Sequence, residues 1–389
     1  QTVESIRPMR PGRDVRLSID MRIQYLAYRE LKAAMQTHRA RAGSLVMIDV
    51  TTGEVLAMVN QPTFNPNDRT QLKPAGYKNR AVTDLVEPGS TIKPFVVAAA
   101  LASGKYRSDS IIDTSPGMVK VGIKVIEDKH NLGAIDLATA LARSSNVAMT
   151  RIALTLGADN LHGALSSFGF GRVTASGYPG ESAGLLTQPA HWRPITTATV
   201  SYGYGLSATP LQIAHAYATL GAYGVQRPVS FAKIDQSVPG ERILPDAVAR
   251  DVVGMLRSVV AEGGTGKLAN IPGYSVAGKT GTAWKASAGG YSTNRYLAVF
   301  AGLAPASNPR VATVVVIDEP SAGLYYGGDV AAPVFSSVVG GALRLLAVAP
   351  DMPLDDYSDQ MPESTPAPVD LAPGMIPTTI AQTADGLRR

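Results

Sequence analysis

The chain lacks cysteine altogether, which excludes disulfide bonds and thiol chemistry but does not identify a compartment. It also lacks a run of about 18 apolar residues, the length that a membrane-spanning helix needs. The nearest candidate, VFSSVVGGALRLLAVAP, is interrupted by Arg344. The net charge of +5 is small for 389 residues and no block of lysine and arginine occurs, which argues against a nucleic-acid-binding protein. The five histidines show no metal-ligand spacing, so no metal site is expected.

Glycine and proline are plentiful instead, with 38 and 27 residues, and 45% of the chain is hydrophobic. This composition favours a large core with many turns. We interpret residues 1–12 as a linker and residues 13–348 as one domain. From residue 349 the sequence becomes proline-rich and acidic, so residues 349–389 are predicted to be disordered. Residues beyond about 350 are predicted to be dispensable for folding and acylation.

The predicted domain begins with a long amphipathic helix, which Ser18 or Asp20 would cap and Gly43 would end. A hairpin that turns at residues 51–53 is predicted next. Residues 105–200 favour short helices and loops.

The second half of the domain shows clearer periodicity. Amphipathic helices are predicted at residues 209–224 and 244–264, three strand-like runs follow them, and a closing helix is predicted at residues 330–347. Because strands occur near both ends of the domain, we expect early and late strands to pair in one antiparallel sheet. The fold class is therefore α+β.

The segment EPGSTIKPF places Ser90 directly after a turn made by Pro88 and Gly89. Ser90 stands where the N-cap of the following helix would stand, and Lys93 lies three residues later on the same helix face. The segment is therefore either a capped helix or a serine nucleophile with a lysine base. The spacing alone does not distinguish the two.

Two later segments also carry polar groups with two interpretations. ARSSNVAM contains Ser144 and Asn146, which either form a helix junction or project together into a cleft. VAGKTGTAW places Lys279 between glycines inside a strand. Glycine in a strand often marks a close approach of a ligand or another backbone, so this strand either binds a carboxylate or is a solvated edge.

Two other motifs are present but lack their structural context. GESAG resembles a nucleophile elbow around Ser182, yet no strand precedes it and no helix follows it in the predicted structure. EGGTGK resembles a phosphate-binding loop, but Ala261 and Leu268 occupy positions that require glycine and a hydroxyl. Neither motif supports an esterase or a nucleotide-binding function.

The segments STIK, SSN and KTG, in this order, match the three motifs of penicillin-recognising serine enzymes. Longer segments, such as RAVTDLVEPGSTIKPF and YYGGDVAAPVFSSVV, resemble the transpeptidase domain of class B penicillin-binding proteins. The similarity extends over about residues 13–347 and is strongest to the septal, cell-division type of Gram-negative bacteria. It implies the serine-transpeptidase fold, in which an antiparallel sheet has helices on both faces and a largely helical subregion.

The resemblance also implies a function, a location and partners. Such proteins are peptidoglycan D,D-transpeptidases that cross-link stem peptides through a serine acyl-enzyme and are inhibited covalently by β-lactam antibiotics. They work with divisome proteins, including a glycosyltransferase partner, at the periplasmic face of the inner membrane. Their full-length chains carry a membrane anchor and a non-catalytic pedestal, so we expect this chain to be a soluble fragment. No metal or organic cofactor is required.

The resemblance assigns roles to particular residues. Ser90 would be the nucleophile and Lys93 its base, Ser144 would relay a proton to the leaving amine, and Asn146 would hold the substrate backbone. The terminal carboxylate of the substrate would be bound by Lys279, Thr280 and Thr282, and Gly281 is included among the substrate-binding residues. The backbone N–H groups of Ser90 and Thr282 would form the oxyanion hole. Tyr325 and Tyr326 would form a wall of the cleft.

Three alternative functions share these motifs. A serine β-lactamase needs a glutamate that activates water, and the nearest acid between the second and third motifs, Glu181, lacks the expected sequence around it. A D,D-carboxypeptidase differs mainly in its acceptor. A non-catalytic β-lactam sensor or divisome scaffold would retain the fold without turnover.

Overall fold

A computed structural model describes residues 12–353, apart from residues 69, 71–72, 237 and 288–289. The predicted linker, except Gly12, and residues 354–389 of the predicted tail lie outside the described residues. The helices are α1 (Met21–Thr37), α2 (Arg80–Thr83), α3 (Lys93–Ala102), α4 (Leu137–Ala142), α5 (Asn146–Leu156), α6 (Ala158–Ser167), α7 (Pro194–Val200), α8 (Pro210–Gly221), α9 (Asp246–Val260), α10 (Gly327–Val330) and α11 (Ala332–Leu345). The strands are β1 (Ala42–Asp49), β2 (Val55–Gln61), β3 (Ile111–Asp113), β4 (Met118–Val121), β5 (Lys124–Glu127), β6 (Ala134–Asp136), β7 (Val225–Gln226), β8 (Glu241–Arg242), β9 (Ala277–Ser287), β10 (Gly290–Ala304) and β11 (Val311–Asp318).

The central sheet has five antiparallel strands in the order β2-β1-β11-β10-β9. The hairpin β1-β2 turns where the sequence predicts, and β1 pairs with β11 so that Ala42 lies opposite Asp318. Early and late strands are therefore neighbours, as expected. Strand β11 is almost continuously apolar because side chains on both of its faces enter hydrophobic cores, with Val314 and Val316 in one and Val315 and Ile317 in the other.

Helices cover both faces of this sheet. On one face, α1 buries Ile23, Ala27 and Leu31, which are spaced by four residues and so form one stripe of the helix. On the other face lies α8, whose residues are all buried, in keeping with its apolar sequence. A capping box between Thr209 and Gln212 fixes the start of α8.

The helical subregion packs around Phe95 of α3. The rings of Phe168, Phe170 and Tyr217 lie within 5.4 Å of its ring, centroid to centroid. The Tyr217 hydroxyl donates a hydrogen bond of 3.0 Å to the carbonyl of Thr91. This bond ties the central helix α8 to the turn that precedes α3, and so positions that turn beside the sheet.

Some predicted element bounds are wrong. The first helix ends at Thr37, and Gly43 lies in β1, where a Cβ would stand 3.0 Å from the Met35 sulfur and 3.2 Å from Leu31. This glycine permits the close packing of α1 on β1 and does not end the helix. Residues 105–200 contain two small antiparallel pairs, β3-β6 and β4-β5, that the sequence analysis missed because these strands are only three or four residues long.

The C-terminal end of the domain also differs from the prediction. The closing helix is divided into α10 and α11 at Ala331. Beyond residue 348, the Asp351 carboxylate accepts hydrogen bonds from the backbone N–H and hydroxyl of Ser275 and from the hydroxyl of Ser307. Residues up to Pro353 thus belong to the compact unit. Within the part of the chain that the structure describes, no helix has the length and apolar character to cross a membrane.

Candidate active site

Ser90 lies in a 3₁₀ turn, Gly89–Ile92, that runs directly into α3. Pro88 is the N-cap residue of this turn and Ser90 makes no capping hydrogen bond, so the interpretation of Ser90 as a helix cap is wrong. The turn is possible because Gly89 adopts φ +52°, a left-handed conformation that favours glycine. The half-buried Ser90 side chain is thereby free of the helix terminus and available for other partners.

A chain of hydrogen bonds joins the first two motifs. The Ser144 hydroxyl donates to the Ser90 Oγ at 3.0 Å. The Lys93 amine donates to the Ser144 carbonyl at 2.6 Å and to the Asn146 Oδ1 at 2.7 Å, and it lies within hydrogen-bonding distance of the Ser144 Oγ at 3.1 Å. The structure therefore brings Ser90, Lys93, Ser144 and Asn146 together, with Lys93 connected to Ser90 through Ser144.

The Lys93 amine lies in an environment that disfavours its charge. Lys93 and Lys279 are both fully buried. Burial, and secondly the positive charge of Lys279, hold the pKa of Lys93 well below its usual value, while the Asp128 carboxylate opposes this shift. An uncharged lysine amine can accept a proton, so Lys93 meets the chemical requirement for a base.

The second motif is held in a strained conformation by Asp128, which the sequence analysis did not single out. Ser144 lies between α4 and α5 with φ +57°, an uncommon value for a residue with a side chain. Asp128 accepts hydrogen bonds from the backbone N–H groups of Asn146 and Val147 at 2.5 and 3.2 Å, and from the Ser145 hydroxyl at 2.5 Å. Its carboxylate thus caps α5 and fixes the loop that presents Ser144.

The third motif lies on β9, the edge strand beside the Ser90 turn. At Gly281 a Cβ would stand 3.0 Å from the Pro88 carbonyl oxygen and 3.0 Å from the Thr91 side chain. The prediction that a glycine here marks a close approach is confirmed, and the approaching backbone is that of the Ser90 turn. The third motif is therefore adjacent to the first.

The side chains of Thr280 and Thr282 point into the same region, whereas Lys279 is fully buried and donates to the carbonyl of Thr280 at 3.2 Å. Burial lowers the pKa of Lys279 to about 7. The Thr280 hydroxyl donates to the Thr265 Oγ1 at 2.9 Å, and the Thr282 Oγ1 accepts from the backbone N–H of Gly327 at 3.0 Å. Thr265 belongs to the EGGTGK segment. This segment therefore lines the site, although its sequence does not match a phosphate-binding loop.

These residues open into a cleft of about 490 Å³. Its lining includes residues of all three motifs, the loop after β5 and the start of α10: Ser90, Ser144, Asn146, Thr280 and Thr282, Glu127 to His130, and Tyr326 to Asp329. Tyr326 lines the cleft, with the Lys129 amine 4.1 Å from its ring centroid. Tyr325 instead stacks on Tyr296 at 4.1 Å.

A larger cavity of about 680 Å³ lies near the segment that precedes Ser90, but it contains none of the motif side chains. Its charged residues pair with one another, as Arg41 and Lys285 do with Asp318. The smaller cleft is therefore the candidate active site, because the side chains of Ser90, Ser144 and Asn146 line it. Lys93 does not line the cleft itself but is buried in hydrogen-bonding contact with Ser144 and Asn146.

Comparison with known proteins places this architecture in a family. The family described as penicillin binding protein transpeptidase domain matches residues 43–340, which is more than half of the chain. The chain belongs to this family. It is 47% identical over 335 residues to peptidoglycan D,D-transpeptidase FtsI of Escherichia coli K12, a match that covers 86% of this chain and 57% of that protein. It is also 44% identical over 343 residues to the probable peptidoglycan D,D-transpeptidase PenA of Neisseria meningitidis serogroup B, covering 88% of this chain and 59% of that protein.

A relative of known structure has the same penicillin-binding transpeptidase fold. The apo transpeptidase domain of Burkholderia pseudomallei penicillin-binding protein 3 is similar with a TM-score of 0.81 and 40% identity, over 88% of this chain and 100% of that chain. The chain spans less than two thirds of the length of the full-length relatives above. What it shares with them is the transpeptidase domain.

The remaining candidate groups lie outside the cleft of this transpeptidase domain. Ser182 donates to the carbonyl of Thr83 at 3.3 Å, and Glu181 accepts from Thr174 and Ser176. Glu181 is thus committed to its own loop, and the motif around Ser182 forms no strand-to-helix elbow. Among the described residues, no group of three or more histidine and acidic side chains is arranged to hold a metal ion.

Proposed function

We propose that this domain is a peptidoglycan D,D-transpeptidase that acts through an acyl-enzyme on Ser90. The observation that carries the proposal is the hydrogen-bond chain from the buried Lys93 through Ser144 to Ser90. A serine hydroxyl needs an adjacent base to become a nucleophile, and Lys93 is an amine whose pKa is depressed. The membership of the family and the names of its relatives support the same reaction.

In the first step, the Ser90 Oγ attacks the carbonyl carbon of the D-Ala–D-Ala bond in the donor stem peptide. Its proton passes through the Ser144 hydroxyl to the uncharged Lys93 amine, which lies 3.1 Å from the Ser144 Oγ. The tetrahedral oxyanion accepts hydrogen bonds from the backbone N–H groups of Ser90 and Thr282, each of which typically contributes about 3 kcal/mol to such a step. The proton then passes through Ser144 to the departing D-alanine amine, and an ester on Ser90 remains.

Substrate binding is assigned to the residues that surround this centre. Asn146 holds the donor backbone, and Lys279 with Thr280 and Thr282 binds the terminal carboxylate. Gly281 lets this strand approach the nucleophile. Tyr326 forms part of the cleft wall, whereas Tyr325 acts through its contact with Tyr326, since the two hydroxyls are 3.2 Å apart.

In the second step, an amine of an acceptor stem peptide attacks the ester and forms the cross-link, which releases Ser90. A β-lactam acylates the same serine, but its leaving group stays tethered after the ring opens. By resemblance to the septal branch of the family, we assign the reaction to cell division at the periplasmic face of the inner membrane, with divisome proteins and a glycosyltransferase as partners. We further propose residues 13–353 as the catalytic domain.

The proposal is tested by incubating the wild type and Ser90→Ala with a donor pentapeptide and an acceptor amine. The wild type should release D-alanine and form the cross-linked dimer, while Ser90→Ala should do neither. Release of D-alanine without any dimer would identify a D,D-carboxypeptidase. Equal turnover by Ser90→Ala would refute the assignment of the nucleophile.

A further inference from the structure

The hairpin β4-β5 presents an unusual surface next to the cleft. Ile123 at its turn is 93% exposed, and Met118 and Val125 are 46% and 50% exposed. Large apolar side chains on a hairpin turn gain nothing from folding when they remain in water. Contiguous exposed apolar groups bordered by polar ones commonly mark an interaction surface.

The apolar side chains on the inner face of the hairpin explain why it folds. Val121 and Ile126 are buried against Ala198 of α7, with Val119 and Ile195 packed around them. The strands are paired so that Met118 lies opposite Glu127 and Lys120 opposite Val125. Since opposed side chains share a face, the outer face consists of Met118, Lys120, Val125 and Glu127, and the turn adds Ile123. Lys124 lies opposite Val121, so it belongs to the inner face, at the exposed end of the hairpin beside the turn. We call Met118, Lys120, Ile123, Val125 and Glu127 the hairpin face.

The hairpin face continues the wall of the cleft. Glu127, at the end of β5, lines the cleft together with Lys129. At about 3.3 Å per residue, the face extends roughly 13 Å from Glu127 to the turn. A ligand that leaves the cleft on this side would therefore run along the hairpin face.

The hairpin is positively charged towards its turn, where Lys120 and Lys124 lie on its two faces, whereas the Glu127 carboxylate lies at the end next to the cleft. Lys120 and Lys124 are exposed, and neither amine forms an ion pair with any residue that the structure describes. A peptidoglycan strand carries free carboxylates on its stem peptides and apolar methyl groups on its alanine and lactyl units. The positive charge of the lysines matches the carboxylates of this polymer, and the exposed apolar side chains match its methyl groups.

We propose that the hairpin face binds the donor peptidoglycan strand beyond the peptide that occupies the cleft. This inference rests on the proposed function, because it is the cleft that selects the end of the donor stem. The lysines pair with carboxylates of the polymer, and Met118, Ile123 and Val125 provide an apolar platform. The surface thus distinguishes a polymeric donor from a short peptide or a β-lactam.

The test uses the whole chain and compares a variant with two reversed charges on the hairpin with a matched control variant. Lys120→Glu with Lys124→Glu reverses the two positive charges near the turn of the hairpin. Lys32→Glu with Lys73→Glu reverses two exposed charges, one on α1, which packs on β2 at the sheet edge opposite β9, and one on the segment before α2. Each protein is measured for co-sedimentation with purified peptidoglycan sacculi, for the acylation rate with benzylpenicillin, and for its melting temperature.

We expect the hairpin variant to bind sacculi about five- to tenfold more weakly at low salt, and the control to bind like the wild type. The difference should shrink at high salt because exposed charges are screened. Benzylpenicillin is too small to reach the turn, so its acylation rate should be the same in all three proteins. Ile123→Ser alone should also weaken sacculus binding.

Unchanged sacculus binding by the hairpin variant, or an equal loss in the control, would overturn the proposal. So would a variant that binds sacculi normally but loses binding to vesicles of anionic phospholipid, which would indicate a membrane surface. If the charge-reversed variant melts early, Lys120→Gln with Lys124→Gln replaces it under the same criteria. A wild type that benzylpenicillin does not acylate would refute the proposed function, independently of the sacculus result.

Discussion

At the scale of single residues, the proposed reaction depends on an uncharged amine at Lys93. The lysine is fully buried and lies near a second buried lysine, Lys279, so both desolvation and like charge favour the neutral form. Asp128 acts in the opposite direction. The balance among these three groups determines the pH at which Lys93 becomes a base.

Replacement of Lys93 by alanine should slow the acylation of Ser90 by about 10²–10⁴-fold, because a positioned base contributes this much to proton transfer. The measurement is the second-order rate with benzylpenicillin, followed by intact mass. The helix start should survive, since Pro94 and the 3₁₀ turn remain, and circular dichroism provides the control. An unchanged acylation rate would show that Lys93 is only a helix residue.

The pH dependence of acylation should shift in opposite directions in two variants. The rate should fall as the pH decreases through the depressed pKa of Lys93, since protonation removes the base. Lys279→Gln removes a like charge, so it should move this acid limb to higher pH. Asp128→Asn removes an opposite charge, so it should move the limb to lower pH.

The readout for this pair is the pH profile of the acylation rate, and each variant is the control for the other. Both variants should also lower the maximal rate, because we propose that Lys279 binds substrate and because Asp128 holds the loop that carries Ser144. A purely structural role of Asp128 would lower the rate without shifting the profile. Shifts in the same direction would contradict the proposed electrostatics.

At the scale of elements, the site depends on how closely β9 approaches the Ser90 turn. Gly281→Ala places a methyl group 3.0 Å from the Pro88 carbonyl oxygen, which the backbone cannot easily accommodate. Such overpacking typically costs about 1–3 kcal/mol. We expect slower acylation by tenfold or more and a lower melting temperature. A comparable change at Gly254→Ala in α9, where the space is open, should leave the rate unchanged.

An unchanged acylation rate in Gly281→Ala would mean that β9 can move without disturbing the nucleophile. The same rate loss in Gly254→Ala would mean that the effect is not specific to this contact.

Sequence patterns predicted the elements with long periodic segments and missed those without them. The hairpin β1-β2, the strands β9 to β11 and the helix α8 follow from runs of seven residues or more. The short strands β3 to β6 carry too few residues to show alternation. The role of Gly43 also escaped prediction, because it depends on α1 packing over β1, which is a tertiary contact.

The candidate site was predictable to the extent that its chemistry lies in contiguous motifs. Ser90, Ser144 and Lys279 were singled out from three segments, and the fold brings these segments together. Asp128 was not predicted, since it lies in an ordinary stretch, IEDKH, and acts only through the folded loop. A single carboxylate without a motif carries no signal in one sequence.

At the scale of the whole molecule, the domain extends a few residues further than its composition predicts. Asp351 holds Ser275 and Ser307, so a chain that ends after Pro350 loses a charged acceptor of three hydrogen bonds. We expect this chain to melt several degrees below one that ends after Pro353, which should melt like the full length. Asp351→Asn in the longer chain should have an intermediate effect. If these three chains have the same melting temperature, the domain boundary lies at residue 348, as composition alone predicts.

The central claim is that Ser90 forms a stable acyl-enzyme, and the most direct measurement is mass spectrometry with benzylpenicillin. The protein should gain one ligand mass on a peptide that contains Ser90, and the adduct should persist for many minutes to hours at neutral pH after free drug is removed. Glu181, the nearest acid between the second and third motifs, accepts hydrogen bonds within its own loop, so it is not placed to activate water. A transpeptidase benefits from this lack, because water would compete with the acceptor amine for the ester. An adduct on Ser182 would contradict the account of the nucleophile. Loss of the adduct within seconds, with release of penicilloic acid, would mean that a carboxylate lining the cleft, Glu127 or Asp329, activates water and that the domain is a hydrolase.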